Sequence, residues 1–292
     1  MRTRQFKQLA GKGFTQRLPL LIEGLAAIAT NVRRIAAELD VCVDAQAYRA
    51  AELLRNIGRE KAGKFLILID SCRSPGSPQA TISRQLDRAG NHLAKLIYAQ
   101  VADYSIASQP ELLRAIDGHR QKLYLDGPND YDWIFPNELI TERENALYVD
   151  LVESEGVLGW SSPRNDERPV TAPKSLRLVE AIMNTGIVSQ PGLTLLQEAW
   201  RGFDPTADTH HNEWARRSRA ALEAFAAQHE VCDDWGNAAG WVAYEWPMPM
   251  VALDIAEVTV TAEELSKRRE ALHKASMVRE YGLDGPAERW DV

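Results

Sequence analysis

Cysteine is scarce in this 292-residue chain: Cys42, Cys72 and Cys232 stand far apart, and none has a second cysteine at CxxC spacing. A cysteine-based zinc site and a disulfide framework are therefore not expected, and buried free thiols are. Long apolar runs are missing too. The longest, Phe65–Ile69, is closed by Lys64 and Asp70 and falls far short of the ~20 residues that cross a bilayer. The first residues, MRTRQFKQLAGKG, are basic but lack the apolar core of a secretion signal. A cytoplasmic protein with no membrane partner is the expectation.

Net positive charge is also absent. Lys and Arg number 34 against 41 Asp and Glu, for a formal charge of −7, which argues against a broad non-specific nucleic-acid binder. There is no glycine-rich phosphate loop and no GxSxG elbow. His210-His211 with Glu213 is the one group reminiscent of metal ligands, but adjacent helical residues point about 100° apart and do not converge. No metal and no cofactor is expected.

What the chain does have is helical periodicity. Its length suffices for one or two domains with a real core. Apolar positions from Leu20 to Leu39 recur at helical spacing, with Pro19 in the first turn. A second helix should run to about Cys72, before the turn-rich Ser71–Pro78. A third, capped by Ser77, should reach about Ala107. A short helix from Gln109 should end at Asp117-Gly118. Residues 126–136 read as irregular, Asn137–Ala146 as a helix and 147–160 as a small hairpin. Helices follow over 173–186, 191–202 and 208–230. Val251–Val260 reads as a strand, and Thr261 to Glu264 as a capping box opening a last helix to about Tyr281.

Basic residues outnumber acidic ones through the first 64 positions. On the third helix Arg84, Arg88, His92 and Lys95 fall within a sector of about 80°, opposite Ile82, Leu86, Leu93, Leu96 and Ile97. Arg84, Arg88 and His92 lie at i, i+4, i+8 with no carboxylate among them, an arrangement that repels itself unless an anion or a neighbouring acid offsets it. A solvated helix face is the plain reading. The functional one is phosphodiester chemistry: His92 shuttles a proton, while Arg88, Arg84 and Lys95 hold phosphate. On the second helix Glu60 and Lys64 form an i, i+4 pair. Gly63 between them predicts close packing on another backbone. Arg216, Arg217, Arg219 and the Lys267–Arg269 run read as solvated faces. Trp235, Trp241, Tyr244 and Trp246 read as core, with base stacking as the alternative.

Asn31-Val-Arg-Arg34, Asp44-Ala45, Glu60-x-x-Gly63-Lys64, His92-x-x-Lys95-Leu96 and the stretch from Arg143 through Leu147-Tyr148-Val149-Asp150 to Gly159-Trp160 and Pro163 resemble the abortive-infection V (AbiV) family of the HEPN superfamily, over roughly residues 20–200. The resemblance implies a mainly α fold: an HEPN-like helical bundle over residues 1–188, with a small hairpin near 147–160, and a mostly helical, mixed C-terminal extension over 189–292. It implies an antiphage toxin that shuts down translation as a metal-independent ribonuclease, with RNA as substrate, a homodimer, and a phage-encoded trigger. His92 takes the place of the histidine in the superfamily's Arg-x(4–6)-His motif. Arg88 lies three residues before it and Arg84 seven, so neither reproduces the motif literally. Arg59, Glu60, Lys64 and Asn31 would bind substrate or orient the acting groups, Glu60 and Lys64 orienting His92 and its basic neighbours from the facing helix. Arg114-x4-His119 matches literally and is the second choice, because Asp117-Gly118 should break its helix. The alternative is a non-catalytic HEPN-fold protein that recognises a phage or host partner.

Overall fold

The structure, a computed structural model, describes residues 6–255 except 125–132, 137, 150, 155–156, 161–169, 205–207, 252 and 254, together with 267, 270, 271, 274 and 278. Among the described residues the chain is mainly helical, and its strands form only two hairpins. After the short α1 (Phe6–Ala10) come the two longest helices, α2 (Phe14–Asp44) and α3 (Tyr48–Asp70). Leu18, Leu21, Leu25, Ala29, Val32, Ile35 and Leu39 bury one stripe of α2 at the three- and four-residue steps of an amphipathic helix. The helix begins at Phe14, so Pro19 lies inside it rather than at its start. The turn from α2 to α3 passes through Gln46 at φ 56°.

The long third helix expected from Ser77 to Ala107 is two helices, α4 (Gln79–Arg88) and α5 (His92–Asp103). The Asn91 side chain accepts the Ala94 N–H at 2.9 Å and caps α5. The other end also differs: Pro78, not Ser77, precedes α4. α6 (Gln109–Arg120) runs straight through Asp117-Gly118, against the expected stop. β1 (Gln121–Tyr124) pairs antiparallel with β2 (Trp133–Pro136), so the end of the 126–136 segment, expected to be irregular, is a strand. α7 (Glu138–Leu147) leads into the expected hairpin, β3 (Leu151–Ser154) with β4 (Val157–Trp160). Leu151 pairs with Trp160 across it, and Leu158 and Trp160 stand 66 and 72% exposed.

α8 (Lys174–Asn184), α9 (Gln190–Ala199) and α10 (His211–Ala226) follow as expected. α11 (Trp235–Glu245) was not anticipated. The boundary expected near residue 188 falls in the turn between α8 and α9, and a single cluster of buried apolar residues runs across it from Ala10 to Ile255. The expected strand from Val251 is not formed at Val251, Leu253 or Ile255; its remainder, and most of the expected last helix, lie outside the described residues. No described helix is long and apolar enough to cross a membrane.

Candidate functional site

Three helices bring their polar groups together at Glu60. Its Oε2 lies 2.9 Å from His92 Nδ1 and 2.8 Å from Lys95 Nζ, and its Oε1 accepts Arg143 Nε at 2.5 Å. α3 supplies the carboxylate, α5 the imidazole and the ammonium, α7 the guanidinium. His92 and Lys95 are three residues apart at the start of α5, hence on one face. Close approach of α3 to α5 is possible because Gly63, one turn past Glu60, has no side chain: a Cβ there would lie 1.8 Å from the Lys95 carbonyl oxygen. The backbone contact expected at Gly63 is therefore the Lys95 main chain.

Exposure grades across the cluster. The Lys95, Glu60 and Arg143 side chains are 8, 13 and 18% exposed, whereas His92 is 41% exposed. Burial pushes the Glu60 carboxyl upward, but hydrogen bonds from Lys95 and Arg143 and the charges of Lys95 and His92 outweigh it, leaving the group below its ordinary range. An ionised carboxylate only accepts, so its contact with Nδ1 requires the proton on that nitrogen. Nε2, on the other edge of the ring, is then the nitrogen able to exchange a proton with a ligand.

A carboxyl held below its unfolded value stabilises the fold above that value and loses its contribution as pH falls through the folded one. Glu60→Gln should therefore cost roughly 2 kcal/mol at pH 7. The difference from the parent, followed by urea unfolding at a series of pH values, should narrow below about pH 4.

The other expected site residues fall elsewhere. Arg88 is buried, donating to Gln85 Oε1 at 3.0 Å and to the main-chain oxygens of Met250 at 3.1 Å, Val251 at 3.3 Å and Leu253. Its expected role of gripping phosphate is overturned, because its fork is filled by carbonyls from a distant segment. Arg84 is exposed on α4, and the break at residues 89–91 removes the shared helical ridge. Asn31 is half-buried on α2, a helix that gives the described cluster no group. Arg59 is buried, and its charge counteracts the rise that burial imposes on Asp103. Lys64 Nζ sits 4.9 Å from the centre of the Phe6 ring. The structure therefore keeps Glu60, His92 and Lys95 together out of the residues expected to act.

Arg114 and His119 share one unbroken helix, so the helix-break objection to them fails, yet five steps of 100° leave their side chains about 140° apart. His119 stacks on Tyr104 with ring centres 5.7 Å apart. His211 Nε2 contacts the Tyr244 carbonyl at 2.8 Å, and Arg216 and Arg217 pair with Glu213. Trp246 is buried core and Trp235 donates to the Thr185 carbonyl. Cys72 is buried, with its thiol pushed up to about 12 by burial, whereas Cys232 is exposed. No group of three or more His, Cys, Asp or Glu that could hold a metal occurs among the described residues.

Arg143 was not anticipated as a site residue. Its only sequence signal is that it opens the second block of the family resemblance, 83 residues from Glu60. No protein-family model, curated protein or solved structure matches the chain, so the geometry around Glu60 carries the functional reading.

Proposed function

We propose that this chain is a metal-independent ribonuclease of the HEPN type, an antiphage effector of the AbiV kind that cleaves RNA in the cytoplasm and shuts down translation. The observation that carries the reading is the Glu60–His92 pair, in which a carboxylate 13% exposed grips one nitrogen of an imidazole 41% exposed. That is how a proton-transfer histidine is oriented. His92 moves a proton between a ribose 2′-hydroxyl and the leaving 5′-oxygen. Lys95 and Arg143 stand beside it as cations for the charge that grows on phosphate. One such histidine per chain fills one of the two proton-transfer roles, and a homodimer supplies the other. A phage-encoded trigger would act upstream.

A second reading, a non-catalytic binding or regulatory protein, is favoured by a different observation. Lys95 and Arg143 are both engaged by Glu60, and a groove of about 280 Å³ opens between α2 and α8 over Ala29, Val32, Ala36 and Leu176. Cleavage of total RNA by purified protein, together with toxicity on expression, separates the two. His92→Ala should lower cleavage at least about 100-fold and abolish toxicity, with His119→Ala behaving like the parent. Loss in His119→Ala alone would move the site to α6. A parent that does not cut RNA would leave the binding reading.

A further inference from the structure

After α11 the chain continues as an irregular strap, described at residues 246–251, 253 and 255, whose backbone is anchored to α3, α4 and the loop between them. Arg73 donates to the Pro247 carbonyl at 2.6 Å, and Asp70 Oδ2 accepts the Met250 N–H at 3.3 Å. Arg88 spreads its guanidinium over the carbonyls of Met250, Val251 and Leu253. Trp246, Met248, Met250, Val251 and Ile255 bury their side chains beneath. Arg88 is also the last residue of α4, and α5 begins at His92 after a three-residue turn. The Arg88 carbonyl accepts the Asn91 N–H at 2.9 Å, and Asn91 caps α5. A second path runs through side chains: Gln85 accepts from Arg88 and donates to the Tyr98 hydroxyl at 2.6 Å, less than two turns along α5 from His92.

A buried guanidinium is a costly way to fasten a loop, since its desolvation must be offset by every hydrogen bond it makes. What it supplies that an apolar residue would not is direction. Its planar fork fixes the register of the carbonyls it engages, and here it does so at the hinge between two helices.

We propose that Arg88 is a positioning residue, which by clamping the backbone carbonyls of Met250, Val251 and Leu253 fixes the α4–α5 turn and so holds the His92 ring against Glu60. The proposal rests on His92 being the proton-transfer group, but it can be read without RNA cleavage. The groups that face the ring are Glu60 from α3, Lys95 from α5 and, across the same carboxylate, Arg143 from α7.

The test follows the ring nitrogens of His92 in the full ¹⁵N-labelled chain. In the parent, neutral His92 carries its proton on Nδ1, the nitrogen bound by Glu60. Arg88→Ala should lose that signature and show a mixture of the two tautomers. Arg88→Lys keeps the charge without the planar fork and should lose it too. Leu222→Ala, which empties core space in α10 and lowers stability without touching the turn, should retain it. If Arg88→Ala does not fold, Arg88→Lys decides. An intact Nδ1–H signature in a folded Arg88 variant overturns the proposal, as would its loss in Leu222→Ala. Should the parent not cleave RNA, the nuclease reading falls while the tautomer measurement still decides this one. Where the parent does cleave, Arg88→Lys should lower kcat about ten-fold with KM unchanged.

Discussion

Gly63→Ala is expected to destabilise this protein by about 3 kcal/mol or more, although alanine is the better helix former. The new methyl would lie 1.8 Å from Lys95 O, 2.6 Å from Lys95 C and 3.0 Å from Lys95 Cα. All three are backbone atoms of α5, so no rotamer change relieves the clash; the helices must separate by more than 1 Å. The matched control is Gly24→Ala in α2, where a Cβ meets nothing within 4 Å. It should gain up to about 1 kcal/mol. Thermal unfolding of the pair would therefore move in opposite directions, with Gly63→Ala lower by on the order of 10 °C. A Gly63→Ala protein as stable as the parent would show that α3 and α5 do not cross this closely. The same variant should weaken the Glu60–His92 contact, because Lys95 is on the strand of backbone that must retreat.

Arg73→Met should cost about 3–5 kcal/mol near pH 8. Arg73 is buried between Trp200 and Trp246, its guanidinium carbon 4.3 and 4.2 Å from the ring centres, and it bonds Asp70 Oδ1 at 2.9 Å. Burial raises the Asp70 carboxyl to about 6 even with Arg73 present. Removing the cation pushes that carboxyl higher still. A carboxyl whose folded value exceeds its unfolded one destabilises the fold increasingly as pH rises between the two. The deficit of Arg73→Met against the parent should accordingly be smaller at pH 5, where Asp70 is protonated in both, and grow above about pH 6. Adding Asp70→Asn should recover much of the loss, since the lone charge goes with its partner. Chemical denaturation of the parent, both single variants and the double at pH 5 and 8 measures this, and a deficit independent of pH would mean Asp70 carries no charge in the parent.

Much of the helical frame was legible from periodicity alone, because α2, α8 and α10 each bury one stripe against a common core, while α3 is buried on every side from Phe65 to Asp70. Gly63 was legible as a close approach, since nothing else accounts for glycine at that point of a helix. Glu60, His92 and Lys95 were legible as chemistry-bearing groups on two facing helices, though the direct grip of one carboxylate on both basic side chains was not. The break between α4 and α5 was invisible for a physical reason: Ile82, Leu86, Leu93 and Leu96 all face the same core, so the apolar pattern keeps its phase across the turn. Arg88 was misplaced because a charged residue on a polar edge reads as solvated, and the carbonyls that enclose it come from about 160 residues away. α11 was missed because Gly236 and Gly240 dilute its helical character.

The strap has one more implication, for the order in which the protein is assembled. Its anchors lie 162 to 180 residues from their partners in sequence, among the costliest contacts for a chain to close. During synthesis α3, α4 and α5 emerge long before residues 247–253 exist, so Arg73 and Arg88 must wait in water, and the helices that carry Glu60 and His92 reach their final spacing only when that late segment locks over them.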